Sequence, residues 1–233
     1  MIRLIRINRD SNRKSNRLRA AVLGSNDGIL SVSGLVIGVA SANSSKLIVL
    51  TAGVAGIVAG ALSMAAGEFI SVSAERDNEK ALINREKLEL ERNPQHELNE
   101  LTHLYENKGL DRSTASRVAH ELTKTDALAA HTDIELHINP NNLTNPWYAV
   151  SASAASYTSG ALIPLIAIML PLGSLTIPVT FIAVIIALTI TGYASAIISG
   201  SSAKKAILRV VICGAAAMTI TFIIGGLFRV AGI

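Results

Sequence analysis

Five apolar stretches, each long enough to cross a bilayer, take up most of this chain and leave few folds open to it. They lie at roughly 20–42, 47–74, 148–170, 176–199 and 206–228. A helix rising 1.5 Å per residue covers ~30 Å of hydrocarbon in about 20 residues, which each stretch supplies. Only 16% of the residues are charged and the mean hydropathy is +0.43, which excludes an ordinary soluble domain. The third and fourth stretches are joined so tightly that they predict a hairpin.

The ionisable residues are distributed just as unevenly. All five histidines and 14 of the 17 acidic residues fall between Glu75 and His137. The apolar pattern of the second stretch runs on through SVSAERDNEKALINREKLELERN, which has no Gly or Pro before Pro94, so one helix is expected to leave the membrane and continue. Asn93 as N-cap and Pro94 at the first helical position start the next helix, which Gly109 closes near Lys108. Two more are predicted over about Arg112–Lys124 and Asp126–His137, the last stopping before Asn139–Pro140. The fold class is therefore an all-α membrane protein: five transmembrane helices with a cytosolic helical metal-binding domain inserted between helices 2 and 3. Its parts are a basic arm (1–19), helices 1 and 2 (20–74), the inserted domain (75–146) and helices 3–5 (147–233).

Seven basic residues, Arg3, Arg6, Arg9, Arg13, Lys14, Arg17 and Arg19, crowd the arm, and Lys204, Lys205 and Arg209 flank the turn between helices 4 and 5. By the positive-inside rule the amino terminus and the 75–146 domain are cytoplasmic. The pI near 9.4 thus reflects membrane orientation, and a nucleic-acid partner is not expected. No cleavable signal is evident, because the basic arm runs into a full span. Cys213 is the only cysteine, which excludes an intrachain disulfide and a cysteine metal cluster. Gly24/Gly28 and Gly34/Gly38 on span 1, and Ala52, Gly56, Gly60, Ser63 and Gly67 on span 2, form small-residue faces. Such faces allow close helix approach, and they predict tight packing of spans 1 and 2, within a protomer or across a dimer axis.

Two acids, Asp27 and Glu68, sit inside apolar stretches, where an ionised carboxylate costs several kcal/mol without a partner. Antiparallel spans entering near Ala20 and leaving near Ala74 would bring Asp27 and Glu68 to the same depth, with the Met64 thioether near the midplane. Carboxylates with a thioether suit a divalent ion of borderline softness such as Fe²⁺. These residues point to a cation path, set against an interfacial cap formed by Asn26 and Asp27 and a headgroup-level Glu68. Outside the spans, Glu86/Glu89 and Glu97/Glu100 are i, i+3 pairs that the Pro94 turn can fold together, and His131/Glu135 is an i, i+4 pair. Either they load divalent metal, or they are the solvated face of charged helices.

The segments SNDGILSVSGLVIGVA and AGVAGIVAGALSMAAGEFISVSAERD, with the helical insert that follows, resemble the vacuolar iron transporter family over nearly the whole chain after the arm. The NDG motif, the SMxxGE motif and the Glu86-x-x-Glu89…Glu97-x-x-Glu100 spacing occur together and in order. The resemblance implies a homodimer that moves Fe²⁺, and often Mn²⁺, out of the cytosol in exchange for protons; these ions are cargo, and no resident cofactor or enzymatic activity is implied. By that likeness Asp27 and Met64 line the path at the dimer interface, and Glu86, Glu89, Glu97, Glu100 and Glu135 belong to the metal-binding domain. Some members carry a glutamate where this chain has Gly56, and Glu68 would stand in for it. Where others use a methionine pair, this chain has His131 and Thr132. A multi-pass protein of this length fits a prokaryotic inner membrane better than a vacuolar one, although the topological sense is the same. Two rivals remain: a membrane-anchored di-iron ferroxidase, for which the chain offers one Glu100-x-x-His103 motif, and a non-transporting metal-sensing scaffold.

Overall fold

The computed structural model describes residues 2–43 and 45–231, with the side chains from 18 onward other than that of 19. The charge pattern of the basic arm thus falls on side chains outside the described residues. Seven α-helices follow in order: α1 (Ile2–Ala42), α2 (Lys46–Arg92), α3 (Pro94–Asn107), α4 (Arg112–Ile134), α5 (Pro146–Met169), α6 (Thr176–Ser199) and α7 (Ala203–Ala231). A 3₁₀ turn, Gly173–Leu175, joins α5 to α6, and no strand occurs among the described residues. Five segments are long and apolar enough to cross a membrane: Ala20–Ala42, α2, α5, Gly173–Ser199 and α7. At 47 residues α2 is ~70 Å long, more than twice the hydrocarbon thickness.

The chain divides into two compact units, one formed by residues up to Glu68 and from Tyr148 onward, the other by Phe69–Trp147. In the first, α1 is the central helix. Val32 and Val36 pack with Val49 and Ile57 of α2 and with Tyr157, Ala161 and Leu165 of α5. On its other side Ile29 and Ile37 pack with Val184 and Leu188 of α6 and Met218 of α7.

Spans 1 and 2 pack against each other as expected, with Val36 at Gly53 and Leu35 at Gly56, but the α1 glycines also seat other helices. A Cβ on Gly28 would lie 2.1 Å from the Tyr157 carbonyl oxygen, and one on Gly160 would lie 2.1 Å from the Ser25 carbonyl oxygen. The backbones of α1 and α5 therefore touch where only hydrogen fits. Gly38 similarly meets α7, where a Cβ on Gly225 would lie 2.0 Å from the Gly38 carbonyl oxygen. The α2 glycines instead receive side chains: Leu165 at Gly53, Leu35 at Gly56 and the Tyr157 ring at Gly60. A small-residue period marks a face that something approaches closely, and it carries no information on which element that is.

In the second unit, Leu101, Ala119 and Ile134 are buried together and seat α3 on α4. Asn93 occupies the N-cap position of α3, but its side chain makes no capping bond; its carbonyl accepts from the His96 and Glu97 amides. Lys108 caps α3, followed by Gly109 at φ +96. Asp111 caps α4, accepting from the Ser113 and Thr114 amides at 3.1 and 3.2 Å. The expected break at Asp126 is present as an extended residue (φ −164, ψ 93), whose carboxylate accepts from the Ala129 amide. The last helix stops at Ile134, three residues short of the expected His137. His137 adopts φ +57, and the Ile138 amide turns back to the Thr132 carbonyl, so the chain reverses there.

Candidate metal centre and the polar face of the spans

Three helices of the second unit converge on one acidic cavity of about 310 Å³. From α2 come Arg85, Glu86 and Glu89, from the start of α3 His96, Glu97 and Glu100, and just past the end of α4 Glu135. Beneath it lies His131, fully buried, with Nδ1 2.9 Å from Glu86 Oε1, 3.8 Å from Glu97 Oε2 and 3.9 Å from Glu135 Oε2. Glu86 and Glu97 are themselves buried, at 3% and 6% exposure.

Neither ring nitrogen of His131, nor Glu86 Oε1, makes a hydrogen bond among the described residues. The 2.9 Å approach is short enough for one but is misaligned, so imidazole and carboxylate present their donor atoms to a shared point without bonding each other. Buried groups in that state cost free energy unless a further group satisfies them. One ligand atom each from Glu86, Glu97 and His131 fall within 4.8 Å of one another, a spacing one cation can bridge. Carboxylates with an imidazole suit first-row divalent ions.

Burial also sets the protonation. Desolvation, followed by repulsion from Glu135, Glu97, Glu89 and Glu100, pushes the Glu86 carboxyl up to about 7. Glu135 is raised by burial and by Glu100 and Glu97, while burial lowers His131 against the pull of Glu97 and Glu100. The cluster holds protons near neutrality that a bound cation would displace.

Of the residues expected to bind metal, Glu86, Glu97, His131 and Glu135 come together most closely. Glu89 also lines the cavity, but its carboxylate is paired with Arg85 at 3.0 Å. Glu100 faces the exposed His96 at 3.8 Å. His96 was missed in the sequence, although its i, i+4 spacing to Glu100 is the same signal that marked His131 and Glu135. His103 of the Glu-x-x-His motif is exposed, pairs with Glu106 at 2.9 Å and does not line the cavity.

Within the spans, α1 runs unbroken through Asn26 and Asp27, so these residues cap nothing. Asn26 accepts a hydrogen bond from the Thr191 hydroxyl of α6. Asp27 is exposed, on the same face as Leu23, Ser31 and Leu35. Ser31 donates to the Asp27 carbonyl and lies 3.0 Å from the hydroxyl of Tyr157, a buried residue that sequence reasoning passed over. Its signal was a phenol amid the small residues of AVSASAASYTSG.

The depth expected for Glu68 needs correction. Val36 meets Gly53, Leu35 meets Gly56 and the Met64 methyl meets Gly24. This antiparallel register puts Asp27 beside the turn between Gly60 and Met64, and Glu68 ~9 Å farther along, level with the start of the span. Met64 rather than Glu68 is the α2 candidate nearest Asp27. The Gly56 position is filled by Leu35, which a larger side chain there would have to displace.

The fold and the cavity define a class: a helical membrane protein with five segments long and apolar enough to span and a histidine–carboxylate cluster in its second unit. Residues 18–226 match the VIT family. The chain is 39% identical over 209 residues to a protein named vacuolar iron transporter from Acanthamoeba castellanii, covering 89% of this chain and 77% of that one. It is 32% identical over 214 residues to vacuolar iron transporter homolog 2.1 of Arabidopsis thaliana, covering 91% and 82%. Against vacuolar iron transporter homolog 5 of Oryza sativa subsp. japonica it is 32% identical over 221 residues, covering 94% and 84%. The chain belongs to the VIT family.

Proposed function

We propose that this protein is a proton-coupled transporter that exports Fe²⁺, and with it Mn²⁺, from the cytosol. The observation that carries this reading is the buried His131–Glu86 pair, whose donor atoms lack hydrogen bonds inside a carboxylate-lined cavity. In this reading the Phe69–Trp147 unit faces the cytosol and loads the ion. Loading displaces a proton from Glu86, which gives ion and proton opposite preferences at one site. Glu68 stands at the mouth of the span, and Asp27 with the Met64 thioether replaces part of the hydration shell farther in.

An Asp27 exposed on the open face of an apolar span is costly, and no ion pair is seen for it among the described residues. Exposed beside it on α2 are Thr51, Ala55, Ala59, Ser63 and Gly67, spaced four apart. A second copy packed on this face would enclose the carboxylate and allow close approach, which supports a homodimer with the path along its axis. Proteoliposome uptake of Fe²⁺, Mn²⁺ and Zn²⁺ under an imposed pH gradient tests the proposal. Asp27→Ala is expected to abolish flux; undiminished Fe²⁺ flux in that variant would exclude the path.

A further inference from the structure

We propose that the start of α7 binds an anionic phospholipid, with the phosphate held by Lys204, Lys205 and Arg209 and the acyl chains laid along Leu208 and Ile212. The positive charge here has no counterpart in its surroundings. From Ile138 to the end of the chain there is no acidic residue, and three of the four basic ones fall within 204–209. All three are exposed, and none has an ion pair among the described residues. Arg209 Nε donates to the Lys205 carbonyl at 3.2 Å, which turns the guanidinium back along the helix toward its start. Three cations gathered in this way repel one another until an anion joins them.

What lies below the charge decides the kind of anion. Lys204, Lys205, Leu208, Arg209 and Ile212 share one side of α7, the least covered of the five apolar segments. Leu208 and Ile212 are both exposed, and Ile212 lies ~13 Å along the helix from Ala203. Cations above an apolar run complement a phospholipid, whereas a free phosphate would meet only the upper part. The helix register supplies the level. Gly24 and Gly28 of α1 meet Ser156 and Ala161 of α5, and Leu30 and Gly38 meet Gly214 and Gly225 of α7, so the three helices run in one direction. Counted back in that register, Lys204 and the exposed Tyr148 fall within about one turn of Ala20, where the first apolar segment opens. That is the headgroup level, at which aromatic rings also gather. Near an anionic membrane surface each basic residue is worth roughly fivefold in binding, so three give on the order of a hundredfold.

The test titrates full-length protein in detergent with phosphatidylglycerol or phosphatidylcholine, and native mass spectrometry counts the lipid bound. Wild type is expected to hold phosphatidylglycerol roughly a hundredfold more tightly than phosphatidylcholine. Lys204→Gln and Lys205→Gln should each weaken that preference roughly fivefold, and the two combined with Arg209→Gln should remove it. Lys204→Arg with Lys205→Arg keeps the charge and should keep the preference, as should Arg229→Gln at the other end of α7. Equal affinity for the two lipids in wild type overturns the proposal, as does an undiminished preference in the glutamine variants. A loss in Arg229→Gln as large as in Lys204→Gln would make the effect one of net charge and overturn it too. Inorganic phosphate at millimolar concentration should not compete; displacement of the lipid by it would mark an anion site without acyl contacts and overturn the lipid assignment.

Discussion

Replacing Glu86 by glutamine should stabilise the metal-free α3–α4 unit at pH 8 while weakening its response to metal. Glu86 has a folded-state pKa raised from 4.5 to about 7, chiefly by burial. The folded chain therefore binds this proton more tightly than the unfolded chain. The resulting stability is fully present below 4.5 and disappears as pH rises through 7. At 1.36 kcal/mol per pH unit the ionised carboxylate costs the folded unit about 3 kcal/mol above pH 7. His131 acts in the opposite sense: lowered by burial, it gives up stability as pH falls below its ordinary 6.5. Since it is present in both proteins, comparing wild type with Glu86→Gln isolates the carboxylate. Hydrogen exchange of α4 in full-length protein with chelator is the assay, because it reads the opening of this unit alone. At pH 8 the variant should be protected roughly a hundredfold more than wild type, and at pH 4.5 the two should coincide. Adding Fe²⁺ should raise protection more in wild type than in the variant, which keeps Glu97, His131 and Glu135 but lacks the Glu86 carboxylate. A variant less protected than wild type at pH 8 would show that Glu86 is internally compensated, and the argument from a proton-holding cavity would fail.

Two further outcomes follow from the packing and the caps. Gly28→Ala drives a methyl onto the Tyr157 carbonyl, so α1 and α5 must separate, costing about 3 kcal/mol and lowering the thermal midpoint in detergent. Gly226→Ala, whose methyl would meet only the Ser41 hydroxyl at an ordinary 3.5 Å, is the control, and equal losses in both would refute the close-contact argument. Asp111→Ala should fray the first turn of α4. Hydrogen bonds from Thr114 and Ser113 hold Asp111 down to about 2, so its contribution is present above pH 3.8 and lost as pH falls through 2. Exchange at Ser113–Ala115 that is the same in both proteins at neutral pH would exclude the cap.

The sequence by itself determined the five spans, the helix that outruns the bilayer, the break at Asp126 and the five glutamates that line the cavity. Those features rest on local causes: apolar length, helix-forming runs, a proline start, and acids three or four apart on one face. Only the tertiary structure decided which partner each group meets. The glycine period of α1 was legible, but its use against α5 and α7 depends on backbones distant in sequence. Glu89 looked equivalent to Glu86 until Arg85 claimed it, and His96 joined the cavity lining only once α3 brought it beside Glu97 and Glu100. The depth of Glu68 depended on the register between α1 and α2, set by side chains filling Gly53 and Gly56. Periodicity specifies the face of a helix, whereas register and pairing are properties of two helices together and arise only when they pack.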